Sequence, residues 1–232
     1  MDLVFDWSQN YREYLFLHSK GEEKSKWEQR IANTLMPCLA VPCKIVDDVA
    51  RQIFRSDYRN FLEWWPWQYL VDTQIIGKVI NKIKNREEYF YYLDKYVAMC
   101  DNWASTDCLR FNIKKSEEGL FLAKALEYVN SDKPFVTRVG LLILMKCFVK
   151  EEHIHMIFEV IESLRADNHY YVMMMEAWLL CECVIKQRKQ TLEYIEKSTL
   201  SAFVINKTIS KCRDSYRVSS EDKEYLKSLR RV

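Results

Sequence analysis

Three stretches decide the fold: PFVTRVGLLIL at 134–144, YYVMMMEAWLL at 170–180 and AFVINKTISKC at 202–212. Each places an aromatic residue before a Val and then runs on with helical spacing. The first two begin 36 residues apart and the last two 32. A period in this range marks stacked helix pairs, because one pair cannot bury its apolar face and needs a neighbour. Aligned on their starts, the stretches set Arg138, Met174 and Asn206 in one row and match Leu142 with Trp178, with Lys207 alongside. In a solenoid such a row faces one concave groove.

Working outward, apolar residues recur at helical spacing almost everywhere. Helices are expected at 7–18, from 26 to the prolines at 37 and 42, and at 45–54, 58–65, 69–83, 87–100 and 104–114. Further helices are expected at 117–129, 135–150, 152–165, 170–187, 190–197, 202–216 and 220–231. Ser116 before Glu117-Glu118, and Ser219-Ser220 before Glu221-Asp222, have the composition of helix N-caps. Only 4 Gly and 4 Pro stand among 232 residues, too few for a fold rich in tight turns. No linker interrupts the pattern. The expected fold is an all-α, HEAT-like helical-repeat solenoid of stacked antiparallel helix pairs with a concave groove, as a single domain over residues 1–232.

Charge narrows the partners. The net charge is +2, so the molecule as a whole is not a polycation. The stretch 206–232 holds eight Lys and Arg against four Asp and Glu, a local excess larger than that of the whole chain. A basic end of this kind tracks phosphates or is a solvated terminal helix. The 8 cysteines form no CxxC pair and have no His at ligand spacing, so no metal site is expected, and they read as reduced core residues. The first residues lack a basic segment followed by an apolar one, and no apolar run approaches the ~18 residues of a membrane span. A cytoplasmic protein without a membrane partner is expected.

Four residues stand out chemically. Trp103 and Asp107, in DNWASTDC at 101–108, lie four apart and share a face if the segment is helical. Arg138 interrupts an apolar helix and needs an anion or an aqueous groove. Trp178 sits near Glu176 in another apolar helix. Taken singly, each has a structural reading: core aromatics for the two Trp, a cap or an Arg110 pair for Asp107, and a salt bridge to Asp107 for Arg138. Taken together they suit a cationic ligand that carries a phosphate. Indole faces attract cations, a carboxylate stabilises developing positive charge, and arginine holds phosphate as a fork. The cluster Trp64-Trp65-Pro66-Trp67 reads as a helix–loop corner rather than a base-stacking platform. His153 and His155 point to opposite helical faces and receive no role.

The blocks YVAMCDNWASTDC, PFVTRVGLLILMKCF, YYVMMMEAWLLCEC and NKTISKCRDSYRVSSEDKEYLKSLRR resemble, in order and spacing, consecutive blocks of the DNA alkylation repair family of AlkD-like glycosylases. The likeness runs from about Leu39 to the C-terminus. The resemblance implies a HEAT-like fold and removal of cationic N3- or N7-alkylated purines from double-stranded DNA, with no cofactor and no metal. It implies catalytic roles for Asp107, Trp103 and Trp178. Asp107 would stabilise the oxocarbenium-like sugar and position water, and the two Trp would contact the lesion-bearing deoxyribose. It assigns backbone phosphate to Arg138. It also implies that the lesion need not be flipped into a tight pocket, since a cationic base already leaves readily.

Lys207, Lys211 and Arg217, in the basic C-terminal stretch, complete the expected DNA-binding set. In LAVPCKIVDDVARQI at 39–53 the chain departs from the family pattern of Gly-Val and Pro followed by Arg. Ala40, Lys44 and Asp47-Asp48 stand there, and the two acids are expected to weaken a phosphate contact. The C-terminal half also resembles a shorter, non-excising branch whose N-terminal region is reduced. The expected function is therefore an alkylpurine DNA glycosylase acting as a monomer. The alternatives are a non-catalytic binder of damaged or branched DNA, and a protein–protein scaffold.

Overall fold

The computed structural model describes residues 4–166 and 168–232. Among the described residues every regular element is helical, and the fold is an all-α helical-repeat fold. The chain divides into two compact units, Met1–Arg110 and Phe111–Val232.

The first unit contains α1 (Trp7–Leu17), α2 (Glu22–Ala32), α3 (Cys43–Arg55), α4 (Tyr58–Trp64), α5 (Leu70–Ile80), α6 (Arg86–Met99) and the single turn α7 (Trp103–Thr106). Its centre is α5, which packs against α3, α6 and α7. Leu70, Ile75, Ile76, Val79 and Ile80 are all fully buried, so α5 is apolar nearly all round, as a helix enclosed by neighbours must be. Its N-terminus is closed by a buried carboxylate. Asp72 Oδ2 accepts the backbone N–H of Gln68 (3.0 Å) and of Tyr69 (2.8 Å). The same carboxylate takes the Tyr11 hydroxyl (3.0 Å) and both terminal nitrogens of Arg12 (3.0 Å each), so α1 is tied to the start of α5.

The Trp64–Trp67 corner does seal packing. Trp64 stacks on Trp7 with centroids 6.3 Å apart, and Trp65 stacks on Trp67 at 6.0 Å with the Lys95 ammonium 4.1 Å from the Trp65 ring. Trp67 in turn meets the buried Tyr96 edge-on at 5.4 Å.

The second unit contains α8 (Glu118–Val129), α9 (Pro134–Ile143), α10 (Ile154–Ser163), α11 (Tyr170–Lys186), α12 (Arg188–Lys197), α13 (Ala202–Asp214) and α14 (Ser220–Ser228). The three repeated stretches begin at the first residues of α9, α11 and α13. These helices pack in succession, α9 on α11 and α11 on α13, while α8 covers α9 and α12 packs on α11. The α8–α9 seam is close because residue 140 is glycine: a Cβ there would stand 2.7 Å from the Ala125 carbonyl oxygen. Beyond Ile143 the helix does not end but widens into a π turn over Leu144–Phe148.

Several local expectations change. No helix runs from 104 to 114. After α7 the chain turns aside, because the Asn81 side chain takes the carbonyl of Cys108 (3.0 Å) and the N–H of Arg110 (2.9 Å), groups a continuing helix would pair internally. Ser116 does not cap α8; it lies in a 3-10 turn, Lys115–Glu117, closed by the Glu117 carboxylate accepting Lys114 N–H at 2.8 Å. Ser219 does cap α14, accepting Asp222 N–H at 3.1 Å. Part of the basic C-terminal charge is structural: Arg231 donates to the carbonyls of Ile195 (3.0 Å) and Ser198 (2.7 Å) at the end of α12. Carbonyls at a helix C-terminus lack the backbone N–H of a following turn, and such donors satisfy them.

Candidate functional site

In the first unit, Trp103 and Asp107 share the wall of one cavity of about 440 Å³. The i, i+4 relation survives although α7 is a single turn, since Asp107 N–H still donates to the Trp103 carbonyl at 2.9 Å. The Asp107 carboxylate is half-buried, and its Oδ1 accepts the Thr106 hydroxyl at 3.1 Å. The indole N–H of Trp103 donates to the Ile31 carbonyl of α2 at 3.1 Å, which fixes the ring.

A turn this short does not hold itself; buried polar contacts hold it. Asn102 caps it, accepting Ser105 N–H at 2.9 Å. The hydroxyls of Ser105 and Thr73 meet at 2.7 Å. The Tyr96 hydroxyl lies 2.8 Å from the Ser105 carbonyl and 3.0 Å from that of Thr73, bridging α7 to α5. Burial and the neighbouring thiols push the Tyr96 phenol well above its ordinary range, so it remains a donor. Gly77 admits this contact, for a Cβ would stand 2.7 Å from Cys108 Sγ and 2.9 Å from the Tyr96 oxygen.

The rest of the lining comes from elements in which sequence reading placed no functional residue. Trp27 and Glu28 of α2, and Gln74 and Lys78 of α5, line the cavity with Trp103 and Asp107. Glu28 Oε2 accepts Ala40 N–H at 2.9 Å. Ala40 has φ 47°, the left-handed region where glycine is at ease, so this hydrogen bond holds a strained turn. Burial pushes the Glu28 carboxyl up from its ordinary value. The acids at 47 and 48 are neutralised locally: Asp47 pairs with Lys78 (2.6 Å) and Asp48 with Arg51 (2.7 Å).

In the second unit, Trp178 is half-buried on α11, with the ammonium of Lys146 at 5.2 Å and that of Lys211 at 5.6 Å from its ring centroid. Lys146 was not singled out in the sequence; it stands in the π turn after α9, whose extra residue no periodicity reveals. Lys207 lies 5.6 Å from the Phe203 ring. Arg217 is paired with Glu182, Nη1 to Oε2 at 3.1 Å, so its charge is partly spent within the unit. Arg138 is 5% exposed and donates to the Tyr171 carbonyl at 2.8 Å, fastening α9 to the start of α11. Asn206, in the row expected to face a groove, instead exchanges hydrogen bonds with the backbone of Arg231 at 2.8 and 3.0 Å, and Leu142 of that row is buried. Among the described residues no group of three or more His, Cys, Asp or Glu is gathered as for a metal ion, and no helix is long and apolar enough to cross a membrane.

A helical-repeat protein whose site sets a carboxylate beside an indole on a cavity wall, and whose second unit sets lysines around another indole, has the surface chemistry of proteins that handle nucleic acid. The chain belongs to the DNA alkylation repair enzyme family, whose model matches residues 16–212. The match begins earlier than the resemblance read from the sequence, and therefore takes in α2; it ends before α14. In structure the chain is similar to a predicted DNA alkylation repair enzyme from Enterococcus faecalis, with a TM-score of 0.63 at 13% identity, covering 85% of this chain and 98% of that one. At that identity the likeness concerns the fold. Among the curated proteins none matches the chain.

Proposed function

We propose that the chain is a monofunctional DNA glycosylase that hydrolyses the N-glycosidic bond of cationic N3- or N7-alkylated purines in duplex DNA. The observation that supports this best is the Trp103–Asp107 pair, held on one cavity wall by buried contacts rather than by a long helix. In this reading the C1′–N bond breaks and its electron pair neutralises the departing base. The Asp107 carboxylate stabilises the positive charge left on the sugar, and water adds at C1′ while passing its proton to that carboxylate and on to solvent. Trp103 contacts the lesion-bearing deoxyribose, and Trp178 contacts the DNA. Lys207, Lys211 and Arg217 contact backbone phosphate, and Arg138 holds in place the helix that bears Trp178. The reaction needs neither metal nor organic cofactor. The protein acts as a cytoplasmic monomer.

The test is single-turnover release of N7-methylguanine and N3-methyladenine from alkylated duplex DNA. Asp107→Asn is expected to slow release on the order of 10²-fold, the scale of removing one electrostatic stabiliser, with unchanged DNA affinity. Wild-type release no faster than the spontaneous rate would remove the enzymatic reading. Salt-dependent DNA binding would then favour a non-catalytic DNA binder, and its absence a protein–protein scaffold.

A further inference from the structure

The aromatic residue that stands before Val in each repeat, Phe135, Tyr171 and Phe203, has no part in the chemistry proposed above. The fold joins all three into one chain of rings through Tyr170. Centroids lie 5.4 Å apart for Phe135 and Tyr171, 5.0 Å for Tyr171 and Tyr170, and 5.8 Å for Tyr170 and Phe203. Arg138 fastens this edge through the Tyr171 carbonyl at 2.8 Å. Tyr170 meets Tyr171 at 85° and Phe203 at 66°, so its ring is oriented from two sides, yet it is 50% exposed. A ring set in place but left open to water is prepared for a flat partner.

From that edge two helix faces run side by side. On α11, Tyr170, Met174 and Trp178 recur every four residues, and on the adjoining α13 so do Phe203, Lys207 and Lys211. Apart from Tyr170 all are half-buried. Rings and ammonium groups are interleaved along the strip. Lys207 stands 5.6 Å from the Phe203 ring and Lys211 5.6 Å from that of Trp178, with Lys146 5.2 Å from the same indole. No Asp or Glu occupies any of the six positions. The next rung, Glu182 with Arg217, is already paired at 3.1 Å and closes the strip. From Tyr170 to Trp178 the strip spans about 12 Å of helix. Aromatic rings alternating with cations over such a length match the bases and phosphates of an unpaired nucleic-acid strand. An acidic peptide would use the lysines and leave the oriented Tyr170 ring idle.

We propose that the α11–α13 face is a binding track for single-stranded DNA. Tyr170 stacks an unpaired base, Phe203 holds that ring in place, and Lys207 and Lys211 take the phosphates that lead towards Trp178. The track goes beyond the glycosylase reading: it takes an unpaired strand and does not need Asp107.

The experiment titrates the intact chain into a fluorescein-labelled oligothymidylate of about eight nucleotides and follows anisotropy. The expected result is saturable binding, weakened about tenfold by Tyr170→Ala, the scale of one stacked base, and restored by Tyr170→Phe. Thermal unfolding of Tyr170→Ala is expected to match wild type, because the ring is open to water. Lys207→Ala is expected to reduce the slope of log binding constant against log salt by about 0.7, one phosphate of a single strand. Strand binding that Tyr170→Ala leaves unchanged would overturn the track. So would Tyr170→Phe binding as weakly as Tyr170→Ala, or no saturable binding up to roughly 1 mM. A duplex of the same length that loses as much affinity on Tyr170→Ala would overturn the unpaired base. Polyglutamate displacing the strand as well as unlabelled oligothymidylate would assign the face to acidic protein segments instead.

Base release keeps this proposal apart from the glycosylase. Strand binding that depends on Tyr170, without base release, leaves the track standing and removes the glycosylase. Base release by a chain whose strand binding ignores Tyr170 does the reverse.

Discussion

The two units build a functional surface by different means. In the first, an enclosed helix, α5, is tied to α1 and α7 by buried polar side chains, and the catalytic candidates stand on a single turn that has no cooperative helix of its own to hold it. In the second, long helices starting at regular intervals pack side by side through apolar seams, and Trp178 lies far inside one of them. One indole is positioned by a network and the other by a repeat. Damage to hydrogen bonding should therefore fall hardest on the first unit, and damage to close packing on the second.

The largest expected effect compares two buried aspartates, each at a helix N-terminus and each paired with an arginine. Asp72 is fully buried, with Arg12 27% exposed; Asp222 is 7% exposed, and its partner Arg188 is 56% exposed. Asp72→Ala strands an arginine, a tyrosine hydroxyl and two backbone amides, and is expected to cost about 3 kcal/mol in urea unfolding. Asp222→Ala is expected to cost about 1 kcal/mol, since water already reaches Arg188.

The hydrogen bond from Arg188 holds the Asp222 carboxyl below its ordinary value. A lowered folded-state pKa means that the stabilisation is complete above the unfolded carboxyl value, near pH 4, and is lost as pH falls through the folded value. Asp222→Asn should therefore be less stable than wild type at pH 7 and converge with it in strong acid. Equal losses for the Asp72 and Asp222 alanine variants would erase the contrast between the units.

A second pair tests packing. At Gly140 the added Cβ of alanine meets backbone, 2.7 Å from the Ala125 carbonyl oxygen, and at Gly77 it meets side chains, Cys108 Sγ at 2.7 Å first. Backbone cannot rotate aside. Gly140→Ala is expected to cost about 2–3 kcal/mol and Gly77→Ala about 1–2 kcal/mol. Gly77→Ala, by moving α7, should also lower base release, whereas a loss of stability alone would leave the single-turnover rate of the folded fraction unchanged.

The smallest effect concerns the basic face of the second unit. Lys211→Ala and Lys146→Ala are each expected to reduce the slope of log binding constant against log salt by about 0.9, one phosphate contact apiece. If only Lys211→Ala does so, the lysine brought in by the π turn is a ring neighbour of Trp178 and not a DNA contact.

Much of this was legible beforehand, unevenly. The starts of α9, α11 and α13 follow from an aromatic-Val pattern at fixed spacing, because repetition and periodicity are properties of the chain itself. The Trp103–Asp107 pairing was legible because one helical turn sets i against i+4. The end of α7 was not, since it is decided by Asn81, more than twenty residues earlier in the sequence. Trp27 and Glu28 were invisible as site residues for the same reason: on their own they are an exposed Trp and an acid on a polar helix, and only the fold brings them to the wall that holds Asp107.

By itself, then, the amino-acid sequence determined that the fold is all-α, where most helices begin, and which aromatic and charged residues are chemically out of place, since local periodicity and capping act over a few residues. The tertiary structure alone decided which of those residues share a cavity, and that Arg138 and Asn206 turn to backbone groups of their own unit. It also decided that Ala40 is held left-handed by Glu28. Each of these depends on partners distant in the chain, whose approach is governed by how buried faces fit together rather than by any short-range preference.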